Sequence, residues 1–375
     1  MADTQCARQS LHTIDLERVP ESTLLGRALS LGSVVTTVSS FALRSHPAHE
    51  NPKTQTFNQI GEGLQGVIFE QIGQSPVLKK ERPGNESLPS NIRHEYKIHQ
   101  DVSAAFRLYG SLNRSDVHVP YPLEFIPKTA SCEFWDDALP RIPARYRTPG
   151  DAFKMERILP LPKVTREALV THFYSGQHRH SASDIENILR NPENKHCLAR
   201  VYLGKEIGEI PQTESALRNF PLFLNPMLDL GMDVTRLAHA MGKAYAIMHW
   251  GAAVNGDDVE FVLGTSTFPM NDPDEALAGL QNRVVGLYLL DFGQCEMVDL
   301  TEEPEVVYQA FKGAMVTGDN QLFIPHHHVT PAIFAMFKKG YMEAGKTILT
   351  EKGLEEKFSL DDFMRQYEEY VEDFL

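Results

Sequence analysis

Three short stretches carry side chains of the kinds that bind charged ligands or move protons. Asp291-Phe292-Gly293 ends the apolar run Leu287-Tyr288-Leu289-Leu290, with Gln294 and Glu296 just beyond. A carboxylate at the mouth of a buried strand can hold a metal ion or a cationic amine, although Asp-x-Gly also ends many strands that simply turn. Gly61, Gly63 and Gly66 fit G-x-G-x-x-G between strand-like segments, where missing side chains let backbone N–H groups approach an anion. The third stretch, residues 255–263, holds Asp257, Asp258 and Glu260. If it is extended, Asp258 and Glu260 alternate onto one face and Asp257 points away. Each carboxylate could equally serve as a cap or a surface ion pair.

Their order along the chain adds meaning. Lys79 follows the glycines on the next strand-like segment and Glu95 lies on the next helix-like one, the order that builds the Lys–Glu ion pair of protein kinases. "KMERILPLP" then fits a strand and hinge, "MGKAYAIMHW" a helix leading to a catalytic loop, and "LYLLDFG" a metal-binding strand end. The loop departs from that pattern. A kinase loop places an Asn five residues after its catalytic Asp to hold a second magnesium. Here, with Val262-Leu263 as the following strand, that position falls on Phe261, one residue short of the spacing from Asp257. The stretch "GTSTFPMNDPDEALAGLQNR" reads as an inserted loop.

The elements that must position these residues follow from periodicity. Residues 1–50 are an N-terminal extension in which "STLLGRALSLGSVVTTVSSFAL" reads as an amphipathic helix. "FNQIGEGLQGVIFEQIGQSPVLKKERPG" alternates around glycines as short antiparallel strands. "PSNIRHEYKIHQDVSAAFRLYG" has helical spacing, with Ile92, Tyr96, Val102 and Phe106 on one face. After Pro162 helices dominate; Leu237, Met241, Ala244, Tyr245 and Met248 form an apolar stripe that Gly251 could end. The expected fold class is α+β: a protein-kinase-like two-lobe fold with a strand-rich N-terminal lobe and hinge over residues 51–162 and a helical C-terminal lobe over 163–375. The tail places Phe363, Tyr367, Tyr370 and Phe374 on one helical face, for docking on its own domain or, as a second reading, for a homodimer contact.

Composition narrows the classes. A chain of 375 residues, 42% hydrophobic, can bury a sizeable core. It has no run of about 18 apolar residues and no basic-then-apolar start, so no membrane association and a cytoplasmic location are expected. Cys6, Cys132, Cys197 and Cys295 lie far apart without a C-x-x-C pair, which argues against a zinc finger or a disulfide framework. His326-His327-His328 should point in different directions with no second cluster beside them, so no metal site is expected. The net charge of −14 opposes indiscriminate nucleic-acid binding, but residues 141–205 hold 12 Lys/Arg against 6 Asp/Glu, while residues 299–375 hold 7 against 15. The basic middle, including Lys163 and Arg166, would suit a local polyanion path. His196 and Tyr202 could stack on a base there, with core packing the better reading for the tyrosine.

Over roughly residues 57–340, "MERI", "NKHCLARVYLG", "MGKAYAIMHW", "DDVEFVLG" and "LYLLDFGQCEMV" resemble a fungal family of unknown-function domains whose members often carry a misleading zinc-finger label. Some members of that family are arginine-containing cyclodipeptide synthases, which join arginine and a second amino acid, both delivered on tRNA, into a diketopiperazine. The resemblance implies an aminoacyltransferase whose partners are arginyl-tRNA and a second aminoacyl-tRNA. It needs no cofactor, because aminoacyl esters are already activated. On that expectation Asp258, Glu260 and Asp291 are catalytic, and Lys79, Glu95, Glu156, Gln294 and Glu296 bind substrate. Arg157, Arg179, Lys195, Arg200 and Lys205 meet the tRNA. Asp258, Glu260, Asp291 and Glu296 would supply four carboxylates to a guanidinium. The alternatives are a small-molecule phosphotransferase using Lys79, Glu95, Asp291 and Asp257 with ATP and magnesium, and a catalytically dead kinase-like interaction module.

Overall fold

The computed structural model describes residues 10–12, 18–38, 55–83, 91–129, 132–174, 181–206, 216–268 and 280–373. Strand β1 (Ser10–His12), helix α1 (Glu21–Ala28) and strand β2 (Val34–Val38) come first. The long N-terminal helix expected from the sequence is therefore cut short. Gly32 takes a left-handed φ of 79°, and the β-branched run Val34-Val35-Thr36-Thr37-Val38 prefers the pleated surface of a sheet.

Strands β3 (Phe57–Glu62), β4 (Gly66–Gln71), β5 (Pro76–Glu81), β6 (Val117–His118), β7 (Pro122–Ile126) and β8 (Ala152–Glu156) follow, with helix α2 (Ile92–Ala105) between β5 and β6. Five of them form one antiparallel sheet in the order β3-β4-β5-β8-β7. Helix α2 buries Ile92, Glu95, Ile98, His99 and Val102. A small core of Val67, Phe69, Leu78, Trp135 and Ile142 fills this part of the molecule.

Helices α3 (Lys163–Phe173) and α4 (Ala182–Arg190) lead to strands β9 (Ala199–Tyr202) and β10 (Phe220–Phe223), and β11 (Glu260–Phe268) and β12 (Leu280–Leu290) complete a second sheet. Its order is β1-β2-β12-β11-β9-β10, with β6 added against β12. The hairpin of β11 and β12 pairs Glu260 with Leu290 at one end and Phe268 with Asn282 at the other. The two ends of the stretch expected as an inserted loop, residues 264–268 and 280–283, are thus paired strand, and residues 269–279 between them lie outside the described residues. Its polar residues hid the pattern: Thr265 is fully buried and accepts a hydrogen bond from the Arg283 guanidinium, so both polar groups are satisfied inside the sheet.

The main core is built by helices α5 (Val234–Ala246), α6 (Pro304–Met315), α7 (Pro331–Lys352) and α8 (Leu360–Glu372). The stripe Leu237, Met241, Ala244, Tyr245 and Met248 is buried as expected. Helix α5 runs on through a wide turn to Ala252, and Ala253 at φ 56°, not Gly251, ends it. Phe363 and Tyr367 of α8 are buried against the chain's own core, which supports docking on its own domain; Phe374 lies outside the described residues. Cys197 and Cys295 are free and buried, while Cys6 lies outside the described residues. Among the described residues no helix is long and apolar enough to cross a membrane.

Helices α5 and α7 cross at two glycines. A Cβ on Gly242 would stand 2.0 Å from the Phe337 carbonyl oxygen, and one on Gly340 would stand 2.1 Å from that of His239. Neither obstacle is a side chain that can swing away. Either Gly242→Ala or Gly340→Ala should therefore lower stability by about 3 kcal/mol, read as a shifted urea midpoint with an unchanged slope. An unshifted midpoint would mean the helices cross elsewhere.

Candidate active site

Strand β5 carries Lys79 to the inner face of the five-stranded sheet, where α2 presents Glu95. The Lys79 ammonium donates to Glu95 Oε1 and, at 3.1 Å, to Asp291 Oδ1, just past the end of β12. Lys79 and Glu95 are almost fully buried, and Asp291 is the more open member of the triangle. Burial would push the Lys79 pKa down, but Asp291 and Glu95 override it and hold the ammonium charged. Burial pushes the Glu95 carboxyl up, an effect that Lys79 opposes.

The glycine hairpin closes over this triangle. Gly63 N–H donates to the Gly66 carbonyl at 2.9 Å, and Gln65 at the tip donates to the Gly293 carbonyl at 2.9 Å. A Cβ at position 293 would come within 2.7 Å of Gln65 Oε1, so the glycine after Asp291-Phe292 is what allows the tip to dock.

A fully buried histidine sets the third stretch. His249 stacks on Phe311 at 4.2 Å, accepts from or donates to Tyr341 Oη at 2.9 Å, and reaches the Asn255 carbonyl at 3.2 Å. Burial pushes its pKa down to about 3, so it is neutral and structural. The Asn255 side chain then accepts from the backbone N–H groups of Asp257 and Glu296, tying the loop to the segment after Asp291. The stretch is not extended throughout: Asp258 sits at φ 53° and Asp291 at φ 66°. Left-handed backbone at a non-glycine residue costs roughly 1–3 kcal/mol, and it persists where surrounding contacts enforce it. Asp257 does turn away, accepting from Thr317 Oγ1 at 2.5 Å. Phe261 is buried between Tyr245 and Phe323.

These elements enclose a cavity of about 320 Å³ lined by Lys79, Glu156, Asp258, Glu260, Asp291 and Gln294, among others. Asp258 accepts from the Asp319 backbone N–H at 3.2 Å, and burial is the main reason its carboxyl is raised. Glu260 is hydrogen-bonded by Arg200, whose other amine lies 3.4 Å from Asp319. Burial pushes Glu260 up to about 7; Arg200 opposes this, and Asp291, Asp319 and Asp258 reinforce it. Glu156 accepts from His118 at 2.8 Å and from the Tyr121 N–H at 3.1 Å. Burial pushes against ionisation there, but the His118 bond prevails and holds Glu156 below its ordinary value.

Several expected sites fall elsewhere. Glu296 does not line the cavity; it is exposed, 3.6 Å from His94, because the turn after Gly293 sends it to the outer face of α2. Arg200 is no surface cation, being held between Glu260 and Asp319. Arg157 is likewise buried against Glu70. Lys195 and Lys205 are exposed, and Arg179 lies outside the described residues. Tyr202 packs between Phe223 and Phe323, as core. His327 and His328 do not diverge: both turn Nε2 toward Glu372 Oε1, at 3.3 and 2.8 Å, because α8 brings its last turn beside them. Asp319, Gln65 and His118 were missed. Only "TGDN", a turn signal at 317–320, marked Asp319, and nothing in the sequence tied it to the loop.

No family model matches the chain, and no curated protein matches it.

Removing Lys79 while keeping its volume isolates Glu95. Lys79→Met should cost roughly 3 kcal/mol at pH 8, within the range for breaking one side of a buried pair. The loss should shrink at pH 5, because Glu95 with a raised pKa binds a proton more tightly folded than unfolded, so falling pH favours the folded variant. Denaturation curves at the two pH values measure this; equal losses would mean that Glu95 stays ionised without its partner.

Proposed function

We propose that the chain is a kinase-like two-lobed enzyme that makes an arginine-containing cyclodipeptide from two aminoacyl-tRNAs, with no ATP at the condensation. In this architecture the five-stranded sheet with α2 is one lobe and the helical region is the other. The observation that carries the proposal is Glu260. Its side chain is only 16% exposed, burial pushes its carboxyl up to about 7, and it lines the same cavity as Asp258 and Asp291. A base is most useful when its pKa lies near the working pH.

The chemistry asks little else. The amine of one aminoacyl group attacks the ester carbonyl of the other, forming an amide, and the ribose oxygen of the tRNA leaves with a proton. Glu260 takes the proton from the attacking amine and returns it to the leaving oxygen. The same exchange in the second half closes the ring, so two amides replace two esters. Asp258 and Asp291 then face the cationic side chain or ammonium. Glu260 is the poorer choice for that role because Arg200 already occupies it. Lys79 and Glu95 fix Asp291 in place. Glu156 and Gln294 line the same space.

A second proposal, ATP-dependent phosphotransfer, draws on the Lys79–Glu95–Asp291 triangle and the glycine hairpin above it. Against it stands Phe261, a buried ring where the second magnesium would need an amide, and Asp257, bonded to Thr317 outside the cavity.

With purified arginyl-tRNA and a mixture of other aminoacyl-tRNAs, product should form equally with and without ATP and magnesium chelator; a strict ATP requirement would favour phosphotransfer. The rate should rise with pH through about 7 as Glu260 ionises and then level off. Glu260→Gln should lower kcat by roughly 10²–10⁴ and abolish that limb. Asp258→Asn should slow single-turnover consumption of arginyl-tRNA more than that of its co-substrate. Retained activity and pH profile in Glu260→Gln would remove it as the base.

A further inference from the structure

A second, larger groove of about 840 Å³ adjoins the cavity and shares Arg157, Pro160 and His196 with it. Six cationic side chains line it against two carboxylates, Glu70 and Glu186, in a chain whose net charge is −14. At its floor lie three guanidiniums. Arg157 pairs with Glu70. Among the described residues Arg166 donates to backbone carbonyls, those of Leu161 at 3.1 Å and Asn194 at 2.9 Å. Arg283 donates to Thr265 Oγ1 at 3.0 Å and to the Pro160 carbonyl at 2.9 Å. Among the described residues, neither Arg166 nor Arg283 belongs to an ion pair. Burial, followed by the nearby Arg157, pushes the Arg283 pKa down to about 10, and burial lowers that of Arg166.

Buried positive charge without a carboxylate is costly unless an anion supplies the balance. On the rim, Lys163 and Arg190 share Glu186, and Lys195 is exposed. We propose that this groove is a phosphate path for an RNA strand whose end turns into the neighbouring cavity at Arg157 and His196. The ligand must be anionic along the groove yet neutral or cationic at its tip, because the cavity presents Asp258, Glu260 and Asp291. An acidic peptide would be repelled there. A polynucleotide with an amine-bearing end meets both conditions, and naming that end as an aminoacyl group rests on the proposed function. His196 sits at the junction and is neutral, its pKa pushed down to about 4 by burial and then by Arg157, so it can face a base without adding charge.

The test is anisotropy of a labelled single-stranded RNA of about ten nucleotides across a salt series, compared between wild type, a Lys163→Glu/Lys195→Glu variant and an Arg166→Gln/Arg283→Gln variant. Each phosphate contact contributes about 0.7 to the log–log salt slope for a single strand. The rim variant should lower the slope by about 1.4 and weaken binding by roughly tenfold or more at low salt. It alters exposed residues, so it tests the path even if the buried pair of substitutions unfolds the chain. Wild-type affinity and slope in the rim variant would overturn the path. So would displacement of the RNA by polyglutamate at equal charge concentration, or competition by inorganic pyrophosphate as effective as by the strand. The RNA carries no aminoacyl group, so binding is judged apart from catalysis. RNA binding lost in the variants of a protein that makes no cyclodipeptide would sink the synthase and keep the path. Synthesis by a rim variant with unchanged tRNA binding would do the reverse.

Discussion

The buried ammonium of Lys79 is the contact on which the cavity depends. It joins three segments far apart in the chain, with Glu95 16 positions away and Asp291 212 positions away. Such a pair adds little net stability, because dehydrating the charges offsets most of their attraction. Its contribution is geometric. A single ammonium between two carboxylates fixes β5 against α2 and anchors the chain just past β12, where Asp291 stands in a left-handed conformation. The hairpin tip then has a fixed Gly293 carbonyl on which to dock.

Charge balance in the cavity follows from the same placement. Asp258, Glu260 and Asp291 crowd together with Asp319 beside them, and the cations close by are Lys79, already shared, and Arg200, held between Glu260 and Asp319. Like charges in a partly dehydrated space cannot all ionise easily, and the group best shielded from water is the first to keep its proton. Glu260 is that group, and burial together with its carboxylate neighbours pushes it up to about 7. The adjoining groove has the opposite imbalance, with positive charge in excess. The two imbalances meet at Arg157, so a ligand with separated charges would be oriented by the protein's own field.

The sequence disclosed the order of the key residues better than their surroundings. Glycines, Lys79, Glu95 and Asp291 could be placed in relation to one another because each sits at a strand end or on a helix face whose periodicity is plain. The β11–β12 hairpin was hidden because Thr265 and Arg283 satisfy each other inside the sheet and break the apolar alternation. Helix α1 was overextended because Gly32 and the valines after it read as a continuation of an apolar stripe. Arg157 and Arg200 looked like surface cations because a linear pattern cannot reveal that Glu70 and Glu260 arrive from other strands to meet them. Asp319 was invisible for the same reason.

Strand β2 has a consequence for how the chain reaches this state. Val34 pairs with Val284, 250 positions further on, and the same strand β12 ends at the residue before Asp291. At about 5–20 residues per second, a ribosome makes Val34 roughly 12–50 seconds before its partner exists. Strand β1 can pair with one side of β2 early, but the side that meets β12 must wait through most of synthesis, a hazard for strand-to-strand misassociation. Helix α1 beside it can form at once, and its buried Leu24 and Leu25 later close onto the main core. The cavity is therefore assembled late, when the strand that leads into Asp291 slots between β2, made near the start of synthesis, and β11, made just before it.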